Sequence, residues 1–95
     1  MTGQPYVIIR TEKAGCFAGT LVGRDGAEVA LKGARRLWYW AGAASLSSLA
    51  VYGTSEPEKC QFPAAVDVVL LGVIEIINVT EKGRQSIEGV PIWNV

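Results

Sequence analysis

The chain has 95 residues, enough for one hydrophobic core and too few for two, so a single domain over residues 1–95 is expected. Hydrophobic residues make up 49% and charged residues 19%, which excludes the low-hydropathy, high-charge composition of a disordered chain. Nine basic residues offset nine acidic ones, so no net field draws the protein onto a phosphate backbone, and duplex nucleic acid is not an expected partner.

Tyr6 to Arg10, with the β-branched run Val7-Ile8-Ile9, reads as a first strand and Cys16 to Val22 as a second, joined by a turn over Glu12-Lys13-Ala14-Gly15. Arg24-Asp25-Gly26 is the clearest hairpin signal, because Asp-Gly tolerates the positive φ angles of a type I′ turn. Glu28 to Lys32 returns from it, with Val29 and Leu31 toward the core and Glu28 and Lys32 in solvent. Lys32-Gly33 then turns the chain into Arg35 to Trp40, read as a further strand. Within Gly42 to Tyr52, Leu46, Leu49 and Ala50 fall at helical spacing, and Gly53 suits a C-terminal cap. Thr54 to Lys59 is a polar surface loop, and Gln61-Phe62-Pro63 keeps the chain extended. Val66 to Val79 is dense in β-branched residues, and Gly72 within it marks a bulge or a bend between two strands. Thr80 caps a short helix running through Glu88, and Pro91 to Val95 adds a terminal edge strand.

The most apolar run, Val68 to Ile74, is bounded by Asp67 and Glu75 and is far shorter than the roughly 20 residues of a bilayer crossing, so no membrane is expected. Met1-Thr2-Gly3-Gln4-Pro5 shows neither the basic nor the apolar part of a secretory signal, and a cytoplasmic setting is the expectation. There Cys16 and Cys60 are expected as reduced, buried small hydrophobes.

With no histidine, Ser-His-Asp and Cys-His relays are impossible. Two cysteines alone do not complete a tetrahedral zinc site, and no P-loop or dinucleotide fingerprint is present. Asp67 and Glu75 read as solvent-facing strand residues rather than an acid–base pair. No catalytic residue, metal or cofactor is therefore expected, and the chain reads as a binding protein rather than an enzyme.

Charge and aromatic surface concentrate in Arg35-Arg36-Leu37-Trp38-Tyr39-Trp40. On a strand, Arg36, Trp38 and Trp40 share one face and Arg35, Leu37 and Tyr39 the other. A guanidinium binds phosphate or carboxylate bidentately, and indoles stack on flat groups. The aromatic side chains are also compatible with core packing under arginine stems, the usual arrangement in a small domain, and both readings stay open here. As a ligand site, Lys32, Arg35 and Arg36 contact charge, Trp38, Tyr39 and Trp40 stack, and Ser45 or Ser47 hydrogen-bonds. A helix starting near Ala43 offers backbone N–H groups to an anion, although the Ala-Gly-Ala-Ala stretch also suits close packing on the sheet.

The run Ala34 to Ala50, followed by Cys60-Gln61-Phe62-Pro63, resembles a family of small bacteriophage and prophage proteins over about Tyr6 to Trp93. That resemblance implies a phage origin and brings no activity with it. Phe17-x-Gly19-Thr20-Leu21, then Asp25-Gly26 and Val29-x-Leu31, is similar in rhythm to an SH3-like or Sm-type small barrel. The expected fold is thus α+β and β-rich, a small antiparallel meander or SH3-like partial barrel with one or two short helices. The expected function is sequestration of a small anionic ligand, a cyclic nucleotide of host immune signalling being one candidate, by a homo-oligomer acting as an anti-defence sponge. The alternative is a protein-interaction or virion-assembly module without a small-molecule ligand.

Overall fold

The computed structural model describes residues 4–94. Five strands, β1 (Tyr6–Thr11), β2 (Cys16–Asp25), β3 (Glu28–Arg36), β4 (Val66–Leu70) and β5 (Val73–Asn78), form one antiparallel sheet in the order β4-β3-β2-β1-β5. Two short helices complete it, α1 (Leu46–Tyr52) and α2 (Glu81–Gly89), with a 3-10 turn at Pro57–Lys59. The fold is α+β and β-rich, as the sequence implies.

The sheet is strongly coiled. β4 and β5 are its two outer strands, yet only Leu71 and Gly72 join them. In a flat five-stranded sheet the outer strands stand about 19 Å apart, whereas this link spans about 11 Å at most. Gly72, at φ 70°, makes the bend, so the second of the two options for that glycine holds. The link is pinned where Glu12 N–H donates to the Gly72 carbonyl at 2.9 Å and Val73 N–H donates to Ala27 O at 2.9 Å.

Coiling gives β1 two buried faces. Val7 and Ile9 pack inside the curl with Phe17, Val29, Leu31, Ala34 and Leu70, while Tyr6 and Ile8 pack on the outer face beneath Leu49, Ala50, Phe62 and Ile87. Hence the unbroken apolar run of β1 in place of an alternating pattern.

Several local expectations change. The β2–β3 turn is centred on Gly26 and Ala27, and only Gly26 (φ 61°) has positive φ, which are the signs of a type II′ rather than a type I′ turn. Lys32-Gly33 does not end a strand: β3 continues to Arg36, with Gly33 (φ 61°) absorbed as a bulge whose N–H donates to Asp67 Oδ1 at 3.0 Å. Close pairing there requires Gly19, since a Cβ on it would press on the Ala34 backbone at 2.9 Å. Beyond Leu37 the expected strand leaves the sheet, and Tyr39 keeps a single bridge to Gln61.

The helix expected within Gly42 to Tyr52, with its start near Ala43, begins only at Leu46. Gly42 sits at φ 76° with its carbonyl taken by Ser55 N–H at 3.1 Å, and Ser45 caps the helix by accepting from Ser48 N–H at 3.1 Å. Gly53 caps its end as expected. Thr80 caps α2 by accepting from Gly83 N–H at 3.0 Å and ties it to α1 by donating to Val51 O at 2.7 Å. The terminal strand expected over 91–95 reduces to one parallel bridge between Phe62 and Ile92, and Val95 lies outside the described residues.

Candidate functional site

Adjacent arginines at the end of β3 diverge to opposite faces. Arg35 points outward from the sheet core and is only 5% exposed. Its guanidinium donates to five carbonyl oxygens: Phe62 and Val90 at 2.6 Å, Ile87 at 3.0 Å, Pro63 at 3.2 Å and Pro91 at 3.4 Å. No carboxylate pairs with it among the described residues. Carbonyl dipoles, including the negative end of α2, neutralise the charge instead. Burial pushes its pKa down, but arginine keeps its proton at any ordinary pH. The expected ligand contact at Arg35 is therefore replaced by a structural one, since its donors are spent inside the fold.

Arg36 is exposed and points the other way. It lies over the Phe17 ring, 4.3 Å from its centroid, and its Nη1 donates to Ala14 O at 2.9 Å. These contacts hold the guanidinium in place without an ion pair, and Nη1 is its one hydrogen-bonding nitrogen among the described residues.

Past the end of the strand Arg36, Trp38 and Trp40, with the buried Leu37 between them, line one pocket of about 290 Å³ together with Cys16 and the Ala14-Gly15 turn. Leu37 N–H donates to Cys16 O at 2.9 Å, which holds the segment against the start of β2. The two tryptophans divide the open question between them: Trp38 is 63% exposed, while Trp40 is half-buried against the helix-side core. Tyr39, on the opposite face, is exposed outside this pocket.

The other expected site residues lie elsewhere. Lys32 stands on β3 beside Asp67 and Val69, in a separate groove. Ser45 spends its hydroxyl on the α1 cap, and Ser47 is exposed within that helix. The seven-residue helix starts past Ala43 and offers no free end to an anion.

Cys16 and Ala14 line this pocket and Phe17 lies under Arg36, three residues outside the expected site. The signal was present: two opposed bulges, one at Val22 on β2 and one at Gly33 on β3, cancel. A regular hairpin counted back from Gly26-Ala27 already places Phe17 opposite Arg36. Burial pushes the Cys16 thiol up against the lowering effect of Arg10, so it is not primed as a nucleophile. Cys60 is buried, with Sγ within 3.6 Å of Ala41 O, and both cysteines are free. Asp67 and Glu75 are exposed on their strands, Glu75 pairing with Arg10 at 2.9 Å.

A larger groove of about 530 Å³ lies at the β4–β5 bend, lined by Glu12, Lys13, Val69, Leu71 and Gly72. It is mainly apolar, carries one charge of each sign and holds none of the candidate residues. Among the described residues no helix is long and apolar enough to cross a membrane, and no three Cys, Asp or Glu side chains gather where they could hold a metal ion.

The model of a domain of unknown function, DUF6948, matches residues 4–87. No curated protein and no solved structure matches the chain.

Proposed function

We propose that this chain, which belongs to the DUF6948 family, is a binding protein whose Arg36–Trp38–Trp40 pocket takes a small, flat, anionic ligand of the nucleotide kind. One observation carries the reading: a guanidinium immobilised by Phe17 and Ala14, without an anionic partner, beside a tryptophan left 63% exposed. A phosphate on Arg36 and a base on the Trp38 indole would satisfy both groups at once. A sequence without histidine favours sequestration over turnover. The similarity to bacteriophage and prophage proteins gives that ligand a context, a nucleotide signal of host immunity removed in the host cytoplasm by a homo-oligomeric sponge.

Thermal shift of the full chain against cyclic and linear nucleotides tests this. A ligand at 100 times its Kd adds about 2.7 kcal/mol of stability, and Arg36→Ala is expected to abolish that gain. No shift across the panel contradicts the proposal and leaves the protein-interaction or virion-assembly module. The latter is favoured by Tyr39 and Ile92, 52% and 57% exposed on neighbouring segments outside the pocket, because aromatic and aliphatic side chains of that kind anchor protein contacts.

A further inference from the structure

Charge at the pocket can be counted. Arg35 is withdrawn into the fold, and Arg10, opposite Cys16 in the β1–β2 register, is neutralised by Glu75 at 2.9 Å. Lys32 lies in another groove and Lys13 in a third. Among the described residues Arg36 is the one cation lining the pocket without an anionic partner. With Nη1 committed to Ala14, its Nε and Nη2 edge remains for one bidentate anion. Stacking surface is limited in the same way, because Trp40 is half-buried in the helix-side core and only Trp38 offers an open indole face. A volume of about 290 Å³ falls at the small end of ligand pockets.

Resting on the proposed binding function, we infer that each chain holds one base and one phosphate, a single nucleoside monophosphate unit, with the phosphate on Arg36 and the base on Trp38. A cyclic dinucleotide carries two of each and exceeds what one chain provides. Such a ligand engages one chain by one half, and is bound in full only where a second copy supplies a second pocket.

The experiment is calorimetric titration of the full chain with the four ribonucleoside 5′-monophosphates, the matching nucleosides, inorganic phosphate and cyclic diadenosine monophosphate. The expected result is one monophosphate per chain, bound at least tenfold more tightly than its nucleoside or phosphate alone. Arg36→Gln is expected to bring the monophosphate down to the nucleoside's affinity, and Trp38→Ala to weaken both by roughly tenfold. Both side chains are exposed, and circular dichroism checks that the variants are folded. The cyclic dinucleotide is expected at one molecule per two chains, or at one per chain with no more than the monophosphate's affinity. A cyclic dinucleotide bound at one per chain, with every monophosphate silent, overturns this inference and leaves the proposed function standing. A nucleoside bound as tightly as its monophosphate overturns it too. Silence of the wild-type chain toward every probe contradicts the proposed function itself, and this inference with it.

Discussion

The Nη1 of Arg35 donates to the carbonyl of Val90 at 2.6 Å, tying the end of β3 to the residue that terminates α2. Through the same guanidinium β3 is also joined to Phe62 and Pro63, which precede β4. One side chain thus gathers three parts of the chain that otherwise share few backbone hydrogen bonds. Arg35→Met is expected to cost roughly 3–5 kcal/mol, because it leaves several buried carbonyls unpartnered. Arg35→Lys should recover little, since an ammonium cannot span the same set of acceptors. Arg36→Ala, at an exposed position one residue on, should change stability by less than about 1 kcal/mol. Urea denaturation of the three variants separates these outcomes.

Tyr6 presents the opposite case. Its hydroxyl is buried with no hydrogen-bond partner, and burial, reinforced by Glu88 and opposed by Arg84 and Arg35, pushes its pKa up to about 12. The unfolded chain gives up this proton near pH 10.0 while the folded chain keeps it, so stability falls as pH rises from about 10 to about 12. Tyr6→Phe should remove this part of the alkaline loss and raise stability near neutrality by about 1 kcal/mol, as it deletes an unsatisfied polar group without opening a cavity. Thermal melts of both proteins at pH 7 and pH 11 give the comparison. A destabilised phenylalanine variant would contradict it.

Two glycines of α2 should respond in opposite ways to alanine. By helix propensity each substitution gains up to about 1 kcal/mol. At Gly83 a Cβ would collide with the backbone carbonyl of Ala50, where α1 and α2 meet, and the expected net effect is a loss of roughly 1–3 kcal/mol. At Gly89 the added Cβ meets nothing within 4 Å, so Gly89→Ala should be neutral or stabilising. Melting temperatures of the pair decide it.

Much of this was legible in the sequence, for identifiable reasons. β1, β2 and the caps at Thr80 and Gly53 follow from local composition, which the structure only lengthens or shortens. Two-residue periodicity points to Arg36, Trp38 and Trp40 together, and all three line one pocket, but Leu37 lines it too and Trp40 packs on the same helix-side core as Leu37, so strict alternation ends with the strand. Arg35 was not legible, because its acceptors at Ile87, Val90 and Pro91 lie more than 50 residues away and no pattern near Arg35 announces them. Gly33 misled for a related reason: a glycine directly after Lys32 and shortly before Arg35-Arg36 reads as a turn. Only the pairing of β3 with both β2 and β4 carries the strand past it. The late start of α1 depends on Ser55 claiming the Gly42 carbonyl, again a contact across a loop.

The pocket stands or falls on whether ligand reaches Trp38 beside Arg36. The three tryptophans give three indole N–H resonances, at Trp38, Trp40 and Trp93, and Trp93 is not part of the pocket. In a proton–nitrogen correlation spectrum recorded during titration with a ribonucleoside monophosphate, the Trp38 resonance should move most, Trp40 less, and Trp93 not at all. Arg36→Gln should suppress the movement. A spectrum in which Trp93 alone shifts, or in which all three indoles stay fixed while the ligand binds, would contradict the assignment of this pocket.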